Sequence, residues 1–373
     1  MPPASVALGA ESMAVTTLIG VVASVVNNHK KSGKQTFHIT DMNVGDGHIV
    51  SRVVGEYRSQ CGASARDVEI SGFDSDPNHF EQAGLALTEN GITAASLHHM
   101  DVTSTPGSSL RNRIECAAGV DLVLYPHAAY PAKLQSNKLP RMIDRLGDMA
   151  LREGAIVTLH NHGPADVDEI RKHALGIPSH SVAGVLCKTQ ERLEQGFQQR
   201  DGLYSFSVTV PNTIELPANM EAVEAIFTGE SDHLTGKDAE DVGVIRDTLA
   251  KLAGSHGQLQ DIIEGMDGEQ QGRALHYFQK RIRDAGGNDL PITVGGGQMV
   301  MAFKSPEIAR EAFKAINQMC QQLSPPAIAL PISPTIMPEF DKAGAHEDWV
   351  GKLHEAGICP PKVHQMATVQ QRY

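Results

Sequence analysis

Between residues 35 and about 164 the chain alternates short apolar runs with longer helical patterns, and this alternation constrains its fold more than any other feature. The apolar runs are Thr36–Asp41, Val68–Asp74, Ala94–Met100, Asp121–Tyr125 and Ala155–Leu159. Between them lie His48–Gln60, Pro77–Asn90, Ser108–Ala118 and Leu139–Arg152. In the last, Met142, Ile143, Leu146, Met149 and Ala150 recur on one face at helical spacing. Strand–helix–strand alternation predicts a parallel sheet covered on both faces. Such sheets bind ligands beyond the carboxyl ends of their strands, where the strand order reverses. The residues that carry chemistry are therefore expected just after each strand.

The rest of the chain reads differently. Met13–Val26 is an apolar run that predicts an amphipathic helix packed on the domain. At about fourteen residues it is too short to span a bilayer, and Lys30-Lys31 follows it, the reverse of a signal peptide's order. Ala165–Gly176 and Val182–Gln199 read as helices, and Tyr204–Leu216 alternates like a strand. Met220–Ala285 is helical with breaks around Gly229–Gly236, Gly254–Gly257 and Gly265–Gly268. Leu290–Phe303 reads as a strand, a Gly295-Gly296-Gly297 turn and a second strand. The Pro-rich tail from Pro325 reads as loop, with one short helix near His346–Ala356.

Composition narrows the function. The 373 residues carry a formal net charge of −12, with no basic cluster denser than Lys30-Lys31. A nucleic-acid partner would need a basic stripe to neutralise phosphates, so none is expected. The acidic surface favours a cationic or amine substrate. Cys61, Cys116, Cys187, Cys320 and Cys359 are widely spaced, with no zinc or disulfide pattern. A reducing, cytoplasmic setting follows, with no metal and no membrane association.

Four strand ends carry candidate ligand-binding residues. In FHITDMNVGDGH (Phe37–His48) a strand ends in a loop with Gly45 and Gly47, and a helix opens at once. Glycines there admit a ligand close to the backbone, and the helix start offers N–H donors. A dinucleotide fingerprint would want a third glycine where Val50 stands, so a nicotinamide cofactor is the less natural ligand. An ordinary strand-to-helix turn is the plainer alternative. In VEISGFDSDP (Val68–Pro77), Asp74 is positioned to accept both hydroxyls of a ribose. Asp76 before Pro77 reads as a helix N-cap, and Ser75 lies between the two. In LHHMDVT (Leu97–Thr103), Asp101, Val102 and Thr103 could line an adenine pocket, or Asp101 could be a loop cap. Adjacent His98 and His99 point to opposite faces of a strand and cannot chelate together. In DLVLYPHAAYP (Asp121–Pro131), Pro126, His127 and Tyr130 reach the top of the sheet. There His127 could orient an acceptor or take its proton, or be a packed structural histidine. His160 and His162 after the fifth strand lack a third ligand nearby, so no metal is assigned.

These stretches, in this order, resemble motifs I, post-I, II and III of class I S-adenosylmethionine-dependent methyltransferases. Asp41, Asn43, Gly45 and Gly47 fall on the family's glycine-rich strand end, with Asn43 in place of its first glycine. The resemblance implies a Rossmann-like, doubly wound, mostly parallel seven-stranded sheet with a helical substrate-binding insertion. It also implies a division into an N-terminal helix over 1–30 capping the active site, a cofactor domain over 31–217 and 290–304, an insertion over 218–289, and a C-terminal helix and tail over 305–373. In plan the chain is similar to the histamine N-methyltransferase-like small-molecule methyltransferases, through AAYPAK, EGAIVTLHNHG, Phe227–Glu230 and the return after GGG. What the resemblance implies for the cofactor is contact with Asp41, Asn43, Gly45, Gly47, Asp74, Ser75, Asp101, Val102, Thr103 and Pro126. For the acceptor it implies Glu11, His127, Tyr130, His160 and Gln298, the first three also at the reaction centre. His127 stands where that family has glutamine, and Gly296–Gln298 lacks its asparagine, which points away from histamine itself. The expected activity is methyl transfer to a small polar metabolite, an amine or imidazole type, by a monomer or homodimer. The rivals are another reaction of the same cofactor (cyclisation, aminocarboxypropyl transfer) and a non-catalytic cofactor-binding pseudoenzyme.

Overall fold

The computed structural model describes residues 4–29, 35–102, 120–126, 144–148, 154–162, 194–198, 200–216, 219–228, 234–236, 242–243, 267–284, 286, 290–323 and 327–332. Its strands are β1 Thr36–Asp41, β2 Asp67–Asp74, β3 Ala94–His99, β4 Leu122–Pro126, β5 Ala155–His162, β6 Tyr204–Leu216, β7 Leu290–Phe303 and β8 Ile328–Pro331. The principal helices are α1 Ala4–His29, α2 His48–Cys61, α3 Phe80–Glu89, α4 Met220–Thr228, α5 Gly268–Asp284 and α6 Pro306–Cys320. One sheet runs in the order β3-β2-β1-β4-β5-β7-β6-β8. The first five strands pair in parallel, while β7 is antiparallel to both β5 and β6. The order reverses between β1 and β4, so a doubly wound sheet has its ligand crevice there.

Alternation along the strands divides the core into two layers. Phe37 and Ile39 of β1 and Leu122 and Leu124 of β4 face α1, α2, α3 and α6. Val123 and Tyr125 face the opposite side with Leu146 and Phe197, which lie in the helical segments 144–148 and 194–198. Helix α2 buries Val50, Val53, Val54 and Tyr57, one face at helical spacing, and stops at Gly62. Gly62 has φ +52°, and its N–H donates to the Arg58 carbonyl, so a residue with no Cβ ends the helix. Helix α6 starts at Ser305, whose hydroxyl accepts the Ile308 N–H, with Pro306 in its first turn.

Three expectations need correction. Helix α1 is not amphipathic over its second half: from Ala14 to Ala23 nearly every residue is buried. It lies against α2, α6 and the strands β5–β7, so it has no solvent face to make polar. Gly295-Gly296-Gly297 is not a turn, because β7 runs through it without a break. Gly296 and Gly297 pair with His162 and Asn161 of β5 and with Pro211 and Val210 of β6. A ladder on both sides supplies the backbone hydrogen bonds that override glycine's preference for turns. The tail after Pro325 is not all loop, since β8 pairs antiparallel with Phe206–Thr209 of β6 and makes an eighth strand beside the expected seven. It ends in Pro331, where a missing N–H costs least. The segments Ser108–Ala118, Ala165–Gly176 and His346–Ala356, with most of Leu139–Arg152 and Val182–Gln199, lie outside the described residues.

The hairpin β6–β7 outgrows the sheet. Pairing of β5 with β7 ends at His162 opposite Gly296, whereas β6 and β7 continue together to Leu216 opposite Leu290. The register shifts between Asn212 and Thr213, a bulge at the base of this overhang. About five residues of two-stranded ribbon, roughly 16 Å, therefore stand beyond the carboxyl edge. Helices α4 and α5, which pack on each other, lie between β6 and β7 in the chain. The topology places the ribbon tip on the same edge as the crevice.

Candidate functional site

The crevice between β1 and β4 is bordered by the loop that follows β1. The Met42 N–H donates to the Leu124 carbonyl at 2.8 Å, and the Val44 N–H to the Phe73 carbonyl at 2.9 Å. Alternate residues thus reach to β4 on one side and β2 on the other, and the loop straddles the point where strand order reverses. Asn43 closes part of the gap: its side-chain amide donates to the Pro126 carbonyl at the end of β4, 3.3 Å away.

Two glycines turn the loop into α2. Gly45 has φ +52° and Gly47 φ +78°, conformations that side chains with a Cβ rarely adopt. A Cβ on Gly45 would meet open space, so backbone and ligand can approach there. A Cβ on Gly47 would lie 3.0 Å from Ala83 Cα, so this glycine also lets α2 approach α3. Gly47 is the N-cap of α2 and supplies no side-chain hydrogen bond. The His48 N–H is taken by Asp46 Oδ1 at 3.0 Å. The next N–H groups, on Ile49 and Val50, belong to the helix's first turn, which has no partner for them within the helix. An anionic group such as a carboxylate suits that position.

The carboxylates behind the loop set its electrostatics. Asp74 Oδ2 accepts the Gly45 N–H at 2.9 Å, and Oδ1 accepts the Asp76 N–H at 2.8 Å. Asp74 is 4% exposed, and each oxygen retains a second lone pair. Asp41, at the end of β1, is fully buried. Its Oδ1 accepts the Asn43 N–H at 3.0 Å, and its Oδ2 has no hydrogen-bond partner among the described residues. Burial, with the Asp74 charge adding to it and the Asn43 N–H opposing, pushes the Asp41 carboxyl up to about 7. The Ser51 hydroxyl in the first turn of α2 is likewise buried without a partner among the described residues. A buried polar atom left unpaired costs about 1–3 kcal/mol, a cost that a polar ligand reaching it would relieve.

The second expected acidic residue is a cap. Asp76 Oδ1 accepts the Asn78 N–H at 3.0 Å at the head of the short helix Pro77–His79. The Asn78 backbone bond holds its carboxyl below the usual range. His98 stacks on Phe73 with ring centres 5.1 Å apart, and His99 Nε2 lies 3.2 Å from the Ser75 carbonyl. At the end of β3, Asp101 and Val102 are partly buried. Arg145 Nη1 donates to the Val102 carbonyl at 3.0 Å. Tyr125 is raised by burial first and by Asp101 next, with Arg145 opposing. Arg145 is a residue the sequence reading missed, because it stands on a helix outside the four strand-end motifs.

The expected cofactor residues Asp41, Asn43, Gly45, Gly47, Asp74, Ser75, Asp101, Val102 and Pro126 all lie at the carboxyl ends of β1–β4 or just beyond them. Thr103, His127 and Tyr130 lie outside the described residues. Glu11 falls within α1. His160 and Gln298 are register partners across β5 and β7, and Thr209 of β6 pairs with Gln298 from the other side. Among the described residues no group of three His, Cys, Asp or Glu is placed to hold a metal, and no helix is long and apolar enough to cross a membrane.

No family model and no curated protein matches this chain. Solved structures do. It is similar to the YcgJ protein of Bacillus subtilis at 13% identity, covering 76% of this chain and 98% of that one, with a TM-score of 0.33. It is similar to coclaurine N-methyltransferase, solved with N-methylheliamine and S-adenosylhomocysteine, at 10% identity over 76% of this chain and 70% of that one, TM-score 0.31. A cyclopropane synthase of Mycobacterium tuberculosis matches at 10% identity over 75% of this chain and 82% of that one, TM-score 0.31. The narrower likeness to histamine N-methyltransferases gains no support from these comparisons. At these scores the fold rests on the strand order itself: a doubly wound, Rossmann-like sheet with an antiparallel β7 inserted between β5 and β6.

Proposed function

We propose that the chain binds S-adenosylmethionine at the β1–β4 crevice and transfers its methyl group to a small polar metabolite, an amine or imidazole type. The observation that carries this is the loop Asp41–Gly47. It straddles the switch point and opens α2 with no side-chain cap from Gly47, and among the described residues Asp41 at its start and Ser51 in the first turn of α2 have buried polar atoms without a partner. These residues fit the group: Asp74 would hold the ribose, the first turn of α2 the carboxylate, and Asp101, Val102 and Thr103 the adenine side. When bound, the cofactor supplies an electrophilic methyl on a sulfonium. The chain's own part is alignment and exclusion of water, and positioning of this kind contributes on the order of 7–11 kcal/mol.

The acceptor residues would come from around the same edge. Gly20 of α1 packs against Glu56 of α2, and Asn27 donates to Cys61 Sγ at 3.6 Å, so the two helices run side by side in the same sense. Glu11 lies in α1 nine residues before Gly20. A carboxylate there suits an amine, which must be neutral to attack, and His127 or Tyr130 would take or relay its proton. His160 and Gln298 supply polar positions on β5 and β7, under the ribbon that carries the insertion.

The test is titration calorimetry with S-adenosylmethionine and S-adenosylhomocysteine, followed by mass spectrometry after incubation with an amine and imidazole panel. Micromolar binding and S-adenosylhomocysteine formation are expected, and no binding at millimolar levels would refute the reading. A second reading is favoured by one contact, the Asn43–Pro126 bridge across part of the crevice. It keeps the cofactor and changes its use, and methylthioadenosine as product, or binding with no turnover, would establish it.

A further inference from the structure

Asp41 and Asp74 end adjacent strands, and their surroundings differ. Asp74 has both oxygens on backbone N–H groups, and His79 Nδ1 stands 3.7 Å from its Oδ1. Asp41 has a single N–H donor, an oxygen with no partner among the described residues, and no exposure to water. A charge on Asp41 would be desolvated with a single donor to support it, beside the Asp74 carboxylate, so its own carboxyl keeps the proton. The shift of its carboxyl to about 7 agrees with this geometry.

Other titratable groups on the surrounding elements do not reverse that balance. The turn after β2 brings His79, and α2 brings His48 in its first turn. Strand β4 brings Tyr125 on the opposite face of the sheet. Among the described residues, no Lys or Arg acts on the Asp41 carboxyl. A positive charge that would let Asp41 ionise must therefore come from outside the described residues.

We infer that Asp41 selects ligands by charge: it holds a proton in the free crevice and yields it to solvent when a cationic S-adenosyl ligand settles on the Gly45–Gly47 loop. This rests on the reading of the crevice as an S-adenosylmethionine site, and adds that the cofactor is loaded in exchange for a proton. An uncharged nucleoside gains nothing from Asp41 and displaces no proton. Loading then weakens as pH falls below neutrality, because the proton competes with the ligand's charge.

The experiment is titration calorimetry in two buffers of different ionisation enthalpy, which counts protons released per ligand bound. S-Adenosylmethionine is compared with 5′-methylthioadenosine, an uncharged thioether nucleoside, on wild type and Asp41→Asn. At pH 6.5 the wild type is expected to release roughly 0.7 proton more than Asp41→Asn with S-adenosylmethionine, and at pH 8.5 about none more. Its apparent affinity, relative to the variant, should fall about tenfold from pH 8 to pH 6. Methylthioadenosine should release none at pH 6.5, a control that holds on wild-type protein even if the variant does not fold. Equal release by wild type and variant, or equal release with both ligands, overturns the inference and leaves the cofactor reading standing. No binding by either ligand overturns both.

Discussion

Two aspartates on neighbouring strands are both fully buried, and they sit in opposite company. Asp121, at the amino edge just before β4, accepts the His38 N–H at 3.0 Å and lies 3.8 Å from Arg66 Nη2. Arg66 in turn donates to Asn27 Oδ1 at 2.8 Å and to the Thr36 carbonyl at 3.3 Å, and rests 4.9 Å from the centre of the Phe37 ring. Tyr57 adds a hydroxyl that donates to Asn27 and accepts the Arg66 N–H. Asp41, at the carboxyl edge, has another carboxylate for a neighbour and an oxygen with no partner among the described residues. Equal burial therefore means different things at the two edges. The amino edge gives its buried carboxylate a backbone N–H and a guanidinium that is itself tied to Asn27 and Thr36, a device of stability. The carboxyl edge leaves polar capacity unspent, which is what a binding site requires.

The largest effect expected from breaking this comparison is at the amino edge. Arg66→Leu removes the counter-charge beside the buried Asp121 carboxylate. Breaking a buried pair from one side costs about 3–5 kcal/mol. Urea unfolding at pH 7 should show a loss of that size, with the affinity of any folded protein for S-adenosylmethionine little changed. A loss below about 1 kcal/mol would mean that the edge is held by packing alone.

The next effect is opposite in sign and depends on pH. A carboxyl raised from 3.8 to about 7 holds its proton longer folded than unfolded. Between those values the folded state binds more protons, so its stability falls as pH rises through the window and is fullest below it. Asp41→Asn carries no such penalty. The variant should match or slightly trail the wild type near pH 4.5 and gain on it up to pH 7.5, by as much as about 3 kcal/mol. Unfolding curves of the two proteins at four or five pH values would decide it. A constant difference across that range would place the Asp41 charge elsewhere.

How much of this was legible in the sequence follows the range of the interactions. The strands and Asp74, Gly45 and Gly47 were readable because periodicity and strand-end chemistry are local: Thr36–Asp41 is a strand with the expected bounds. Asp76 as a cap was readable from Pro77 beside it. The Asp121–Arg66 pair was not, since two distant residues meet there and neither stands in a motif. Asn43 was visible as a departure from the glycine pattern, but its bridge to Pro126 depends on how β4 is set beside β1. Gly295–Gly297 read as a turn because glycine's local preference points that way, and only flanking strands on both sides of β7 reverse it. Ser51 gave no signal at all, since an unpaired hydroxyl is a fact of packing.

The smallest effect sharpens the comparison within the carboxyl edge itself. Asp74 and Asp76 are two residues apart, and each accepts a backbone N–H, yet they serve different ends. Asp76 caps Pro77–His79 from the solvent side, so Asp76→Ala removes a cap and nothing that the loop at Gly45 depends on directly. The expected cost is a small drop in the urea midpoint, that of a lost N-cap side chain. Its Asn78 bond favours the ionised form, so the contribution is present at neutral pH and lost as pH falls through the lowered value. Affinity for S-adenosylmethionine should change less than threefold, measured by calorimetry on the same preparation. A tenfold loss instead would make Asp76, and not Asp74 alone, part of the ribose subsite, and the division between cap and ligand proposed for these two carboxylates would have to be redrawn.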